Sequence, residues 1–168
     1  MDILVIDDDR YIGLLLTEIL RDEGHEIRAA LNGPEGVAHF KEKTPDLVFL
    51  DIHLPFVSGC EVATQLKRLC ADQLVPILFL TATTDDQELA RCLDAGGDDF
   101  FIKPFNRTLL EAKIRVWERI IQQFRGKAPS FAANLSSLGK AILSQDEIEA
   151  LTEENPVESE DELTGHGI

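Results

Sequence analysis

Five polar residues that follow short apolar runs could do chemistry together. Asp7 and Asp8 follow the first run, Asp51 the third, Thr81 the fourth and Lys103 the fifth. An aspartate can act as a nucleophile, while a lysine, a divalent cation and a hydroxyl can neutralise or bind the oxygens of a transferring phosphoryl group. If these side chains meet in one place, they supply what phosphoryl transfer to an aspartate requires.

The carboxylates of Asp7, Asp8 and Asp51 are expected to need a cation. Carboxylates held close together repel one another, and their protonation is favoured unless a lysine or a metal ion lies among them. Hard oxygen ligands with open positions suit Mg²⁺, which retains water and reaches phosphate oxygens. We therefore predict Mg²⁺ as the cofactor, and we interpret Asp9 as a helix N-terminal acid favoured by the helix dipole.

Alternating apolar runs and amphipathic stretches would position these residues. The apolar runs cover 3–7, 26–30, 46–50, 76–80 and 99–102, and the later helical stretches cover 34–43, 58–71, 85–95 and 105–125. Strands that are apolar on both faces and alternate with amphipathic helices indicate a parallel sheet between two helix layers. We predict an α/β fold with a five-stranded parallel sheet, doubly wound and flavodoxin-like, and adopt for it the strand order 2-1-3-4-5.

Composition predicts a globular body with an acidic extension. The formal net charge is −15, and the segment from Ser144 onwards holds nine acidic residues and no lysine or arginine. This charge argues against a nucleic-acid or membrane partner. There is no secretory signal and no apolar run of about 18 residues, so we expect a cytoplasmic protein. Cys60, Cys70 and Cys92 lack metal-ligand spacing and are expected to be free thiols.

Five motifs resemble the receiver domain of two-component response regulators, in order and in spacing, over about residues 1–125. They are IDDD (6–9), FLDIHLP (49–55) with Gly59, FLTA (79–82), AGGDDF (95–100) and FIKPF (101–105). The resemblance implies that Asp51 accepts a phosphoryl group from a sensor histidine kinase or a phosphotransfer protein. It also implies that Asp8 binds Mg²⁺ directly, Asp7 through water and His53 through its backbone carbonyl.

The same resemblance implies a switch. Thr81 and Lys103 would contact the phosphoryl oxygens, and the Lys103–Pro104 bond would be cis. Thr81 would move inward, Phe100 would rotate into the vacated space, and the face built from helix 4, strand 5 and helix 5 would change shape. His53 and Thr83 occupy the positions that tune phosphoryl lifetime in this family, so we expect a lifetime unlike that of short-lived chemotaxis receivers.

Beyond the receiver, we predict a linker (126–141), a short amphipathic helix (142–154) and an acidic disordered tail (155–168). The helix resembles the receiver-binding peptide of the flagellar motor switch protein, with docking residues Leu143, Ile148 and Leu151. The resemblance implies a chemotaxis or motility output, in which the tail docks on its own receiver or across a homodimer. It would compete there with the motor switch protein or another receiver. The alternative is a solvated helix without function.

Other interpretations stay open at this stage. The chain could be a phosphorelay intermediate, a regulator of a non-motility partner, or a scaffold that takes no phosphoryl group, although the intact site argues against a scaffold. A haloacid-dehalogenase-like phosphatase also uses a strand-end aspartate and Mg²⁺, but it needs a second aspartate where this chain has His53. We expect no enzymatic activity and no output domain after Arg125, so the output would be protein contact.

Overall fold

Five strands and five helices alternate along the chain in the computed structural model, which describes residues 1–125. The strands are β1 (Asp2–Ile6), β2 (Glu26–Ala30), β3 (Leu47–Asp51), β4 (Ile77–Thr81) and β5 (Asp99–Ile102). The helices are α1 (Arg10–Asp22), α2 (Gly33–Glu42), α3 (Gly59–Leu69), α4 (Asp86–Asp94) and α5 (Arg107–Phe124). Each strand lies within one residue of its predicted position.

All strand pairs are parallel, in the order β2-β1-β3-β4-β5. This confirms the predicted fold. One core cluster joins the sheet to α2, α3 and α4, and the second joins it to α1 and α5. Every residue of β3 and β4 is buried, because these strands lie inside the sheet with helices on both faces. Because the strands are parallel, the carboxyl ends of β1, β3, β4 and β5 lie at the same edge of the sheet.

Local capping explains where the helices near this edge begin. The Asp9 side chain is the N-cap of α1 and accepts a hydrogen bond of 2.8 Å from the backbone N–H of Tyr11. This confirms Asp9 as a helix N-terminal acid. Ser58 and Glu61 form a reciprocal capping box at α3. Both helices thus start directly beside the polar strand ends.

The apolar stripe of α5 packs mainly into the core. Leu110, Ile114 and Ile121 are buried, and Trp117 is partly buried against the same cluster. Core packing therefore accounts for these residues. Within residues 1–125, no helix combines the length and the apolar character needed to cross a membrane.

The prediction of three free thiols is wrong for Cys60 and Cys92, which form a disulfide. Their Cα atoms lie 4.9 Å apart, although 32 residues separate them in sequence. The packing of α3 against α4 brings them together, and sequence spacing carries no trace of that contact. Cys70 is free and buried, as predicted. The predicted linker, docking helix and acidic tail, with Leu143, Ile148 and Leu151, lie outside the described residues.

Candidate functional site

A lysine bridges two buried carboxylates at the carboxyl edge of the sheet. Lys103 Nζ lies 2.7 Å from Asp7 Oδ2 and 3.2 Å from Asp51 Oδ2. The side chains of Asp7, Asp51 and Lys103 are 0%, 9% and 16% exposed, so the three charges interact in a largely dry environment. Such charges are stable only when they are paired, and this pairing holds both carboxylates in a common orientation.

Burial and charge shift the titration of this cluster. Burial raises the pKa of Asp7 above its ordinary value, and the negative charge of Asp51 adds to that rise. The hydrogen bonds from Lys103 and from the Asp9 backbone N–H oppose it. Burial lowers the pKa of Lys103, but its bond to Asp7 and the charges of Asp51 and Asp7 outweigh burial and raise that pKa overall. Lys103 is therefore a permanent cation in the site.

The third carboxylate completes a cluster that fits a divalent cation. One ligand oxygen each from Asp7, Asp8 and Asp51 lies within 4.8 Å of the others. Asp8 is exposed, while Asp7 and Asp51 are buried, so the cluster opens to solvent on one side. Three hard oxygen donors with an open side suit a metal that retains water and binds phosphate oxygens. The predicted set of carboxylates thus meets in one place.

The His53 side chain points away from the carboxylates. Its backbone N–H donates to Asp51 Oδ1 at 3.2 Å, whereas its ring Nε2 lies 3.1 Å from Glu88 Oε1 in α4. No sequence pattern singles out Glu88, because one acid in the first turn of a helix resembles any helix-dipole partner. The His53 ring therefore links the loop after β3 to the first turn of α4.

Thr81 and Phe100, the two residues predicted to form a switch, lie on the neighbouring strands β4 and β5. Thr81 ends β4 and is fully buried, and its Oγ1 accepts a hydrogen bond of 3.0 Å from the Thr83 backbone N–H. Phe100 is half-buried in β5 against the core cluster beneath α2, α3 and α4. The Lys103 backbone N–H donates to the Thr81 carbonyl at 2.7 Å. The Lys103–Pro104 bond is cis, as predicted.

Gly59 positions Asp51 through a very close approach of two backbone segments. A Cβ on Gly59 would lie 2.0 Å from the carbonyl oxygen of Asp51, which is fixed in β3. We expect Gly59→Ala to displace Asp51 and to lower the free energy of unfolding by about 2 kcal/mol or more. Chemical denaturation measures the effect. Gly13→Ala is the matched control, because nothing lies within 4 Å of its added Cβ. An equal loss in both variants would contradict this role for Gly59.

Comparison with known proteins identifies the family and supports the fold. The family model described as the response regulator receiver domain matches residues 3–115. The transcriptional regulatory protein AfsQ1 of Streptomyces coelicolor is 39% identical over 113 residues, covering 67% of this chain and 49% of AfsQ1. The DNA-binding response regulator MtrA of Mycolicibacterium paratuberculosis is 40% identical with the same coverage. This chain thus spans about half the length of the curated relatives it matches.

The fold agrees with solved structures. A two-component response regulator from Clostridium difficile has 31% sequence identity and a TM-score of 0.68, and the match covers 71% of this chain and 96% of that one. A CheY-like receiver domain protein from Methanospirillum hungatei has 28% identity and the same TM-score, over 73% of this chain and 96% of that one.

These relatives correct two expectations. The expectation of no nucleic-acid partner is wrong, because AfsQ1 is named a transcriptional regulatory protein and MtrA a DNA-binding response regulator. The net charge of −15 describes this chain alone. It gives no information about the partner or process that a receiver controls. The expected chemotaxis output and the motor-switch-like segment also gain no support from these relatives, which match within the receiver.

Proposed function

The chain belongs to the response regulator receiver domain family, and from this premise we propose that a sensor histidine kinase or phosphotransfer protein phosphorylates it on Asp51. The observation that carries the proposal is the contact of Lys103 Nζ with both Asp7 and Asp51, two members of the carboxylate cluster. This contact supports the proposal because it brings a carboxylate nucleophile and a lysine cation beside the residues that would hold a metal ion. We propose Mg²⁺ as the ion and the cytoplasm as the location.

The transfer would form one bond as another breaks. An Asp51 carboxylate oxygen attacks phosphorus while the bond from phosphorus to the donor nitrogen or oxygen breaks, which leaves an acyl phosphate on Asp51. Bound Mg²⁺ would supply charge neutralisation at the equatorial oxygens. Lys103 Nζ donates to Asp51 Oδ2 and orients the carboxylate, and the His53 backbone N–H, 3.2 Å from Asp51 Oδ1, fixes the other carboxylate oxygen. The Thr81 hydroxyl is available to donate to the new phosphoryl group.

Acetyl phosphate tests this function directly. We expect the full chain, incubated with acetyl phosphate and Mg²⁺, to gain the mass of one phosphoryl group, and we expect EDTA to prevent the gain. Intact mass spectrometry measures both. A chain that never gains the adduct would be a binding scaffold. Repeated release of phosphate from phosphate monoesters would favour a phosphatase. Such an enzyme needs a second aspartate at position 53, where this chain has a histidine whose ring pairs with Glu88.

The output would pass through the face formed by α4, β5 and α5. Ile102 in β5 and Val116 in α5 are each 43% exposed, so both apolar side chains are accessible to a protein partner. Thr81 and Phe100 connect the site to this face through β4, β5 and the loop to α4. Because AfsQ1 is named a transcriptional regulatory protein and MtrA a DNA-binding response regulator, we propose control of transcription as the output that this switch serves.

A further inference from the structure

The disulfide links α3 and α4, the two helices that follow β3 and β4 in the chain. Cys60 lies in the first turn of α3, which follows Asp51, and Cys92 lies in α4, which follows Thr81. One covalent bond therefore joins the segment that begins at the proposed phosphoacceptor to the segment that begins at the proposed switch hydroxyl.

The α3 end of this link is held rigidly. The Gly59 backbone N–H donates to the Ile52 carbonyl at 2.8 Å, and the Asp51 carbonyl lies against the Gly59 Cα. Cys60 is the next residue, so its position is fixed to the end of β3. A sulfur bonded to Cys60 is therefore kept close to the end of β3 that carries Asp51.

The α4 end is connected to Thr81 by three successive hydrogen bonds. The Thr83 N–H donates to Thr81 Oγ1 at 3.0 Å, and the Asp85 N–H donates to Thr83 Oγ1 at 3.1 Å. The Gln87 N–H then donates to the N-cap side chain of Asp85 at 2.9 Å. If Thr81 Oγ1 moves towards a phosphoryl group, its hydrogen bond from the Thr83 N–H moves with it, so a displacement of Thr81 can reach the start of α4.

Few buried side chains hold α4. This helix has nine residues, and its buried residues are Leu89 and Cys92. Its polar contacts include the pair between Glu88 and His53, and the hydrogen bond of 3.1 Å from Thr64 Oγ1 to the Ala95 carbonyl that follows the helix. A helix with so small a buried face is readily displaced, so a covalent bond has a large effect on its position.

We propose that Cys60 and Cys92 form a redox-controlled latch on α4. This inference rests on the proposed phosphorylation of Asp51. The oxidised form holds α4 against α3 and restricts its response to the phosphoryl group, and the reduced form releases it. In the cytoplasm proposed for this protein, disulfides are usually transient and redox-sensing, which suits a latch better than a permanent brace.

The latch opens by thiol–disulfide exchange with a dithiol. A thiolate of the dithiol attacks the Cys60 sulfur, which is half-buried, because the Cys92 sulfur lies in a residue only 1% exposed. The bond between the two protein sulfurs breaks, and Cys92 leaves as a thiolate that takes up a proton. The second thiol of the dithiol then displaces Cys60, so the dithiol ends as a disulfide and the protein gains two electrons and two protons.

Thiol labelling tests whether the latch forms. The full chain is treated with oxidised glutathione or with dithiothreitol and then alkylated with iodoacetamide under denaturing conditions. We expect one labelled cysteine, Cys70, after oxidation, and all three cysteines labelled after reduction. Labelling of all three after both treatments would overturn the proposal.

Hydrogen exchange tests whether the latch acts on α4. We expect the amides of α4 to exchange roughly tenfold more slowly in the oxidised protein, as for a cross-link that limits local opening. We also expect acetyl phosphate with Mg²⁺ to change that exchange more in the reduced protein. Cys60→Ser and Cys92→Ser should each behave like the reduced protein in either condition. Cys70→Ser is the matched control and should keep the redox difference.

Equal exchange of α4 in the two redox states, with the disulfide shown to form, would overturn the latch. Failure of the proposed function gives a different result. If Asp51 takes no phosphoryl group in either redox state, the function fails, while the exchange of α4 without phosphate still decides whether the disulfide holds the helix.

Discussion

Asp51→Asn is expected to abolish phosphoryl acceptance completely. The amide of asparagine retains the shape of the side chain but lacks the charged oxygen that attacks phosphorus. Asp51 is the buried carboxylate that Lys103 and the His53 backbone N–H orient together, through Oδ2 and Oδ1 respectively. Incubation with acetyl phosphate and Mg²⁺, followed by intact mass spectrometry, should show the adduct in the wild type and none in the variant.

Asp9→Asn is the matched control for this experiment. Asp9 belongs to the same acidic run, but its side chain caps α1, a role that asparagine fulfils equally well. The control should therefore accept a phosphoryl group like the wild type. An adduct on Asp51→Asn at the wild-type rate would show that the nucleophile is another residue.

Asp51→Asn should also stabilise the metal-free protein. The negative charge of Asp51 contributes to the raised pKa of Asp7, so the two carboxylates repel each other in the native state. Asparagine at position 51 removes that repulsion, and Lys103 keeps its contact of 2.7 Å with Asp7. We expect a gain of about 1 kcal/mol in the free energy of unfolding, measured in EDTA.

Lys103→Met should lower the free energy of unfolding of the metal-free protein by about 3 kcal/mol, because it leaves two buried carboxylates without their cation. Lys103 is 2.7 Å from a fully buried side chain, Asp7, and 3.2 Å from Asp51, so solvent screens these pairs weakly. Methionine preserves most of the apolar stem, so the loss reports the charge. Urea denaturation in EDTA measures it, and added Mg²⁺ should recover part of the loss.

Lys113→Met is the matched control. Lys113 contacts Asp99 at 2.9 Å, but the side chains of this pair are 32% and 26% exposed. A pair so open to solvent contributes about 1 kcal/mol or less. Equal destabilisation by the two substitutions would mean that the central position of Lys103 has no special electrostatic effect.

The sequence alone was sufficient to predict five parallel strands and the polar residues that follow them, whereas the strand order was adopted from known folds of this type. The inner strands β3 and β4 are buried on both faces between helix layers, so continuous apolar runs predict parallel strands, and each of the five strands lies within one residue of its predicted position. Once the strands are parallel and β1 lies beside β3, Asp7, Asp8 and Asp51 must share one edge. The position of Asp9 at the start of α1 follows in the same way from a local hydrogen bond.

Contacts between residues far apart in sequence depended on the tertiary structure. Lys103 lies 96 residues from Asp7, and its place between two carboxylates is set by the length and direction of β5. The ring of His53 meets Glu88, and Cys60 meets Cys92, because α3 and α4 pack side by side on the same face of the sheet. Periodicity records which side of an element is buried, but it does not record which residue of the neighbouring element lies opposite. The sequence therefore determined the sheet and the chemistry at its edge, and tertiary packing decided which side chains pair across it.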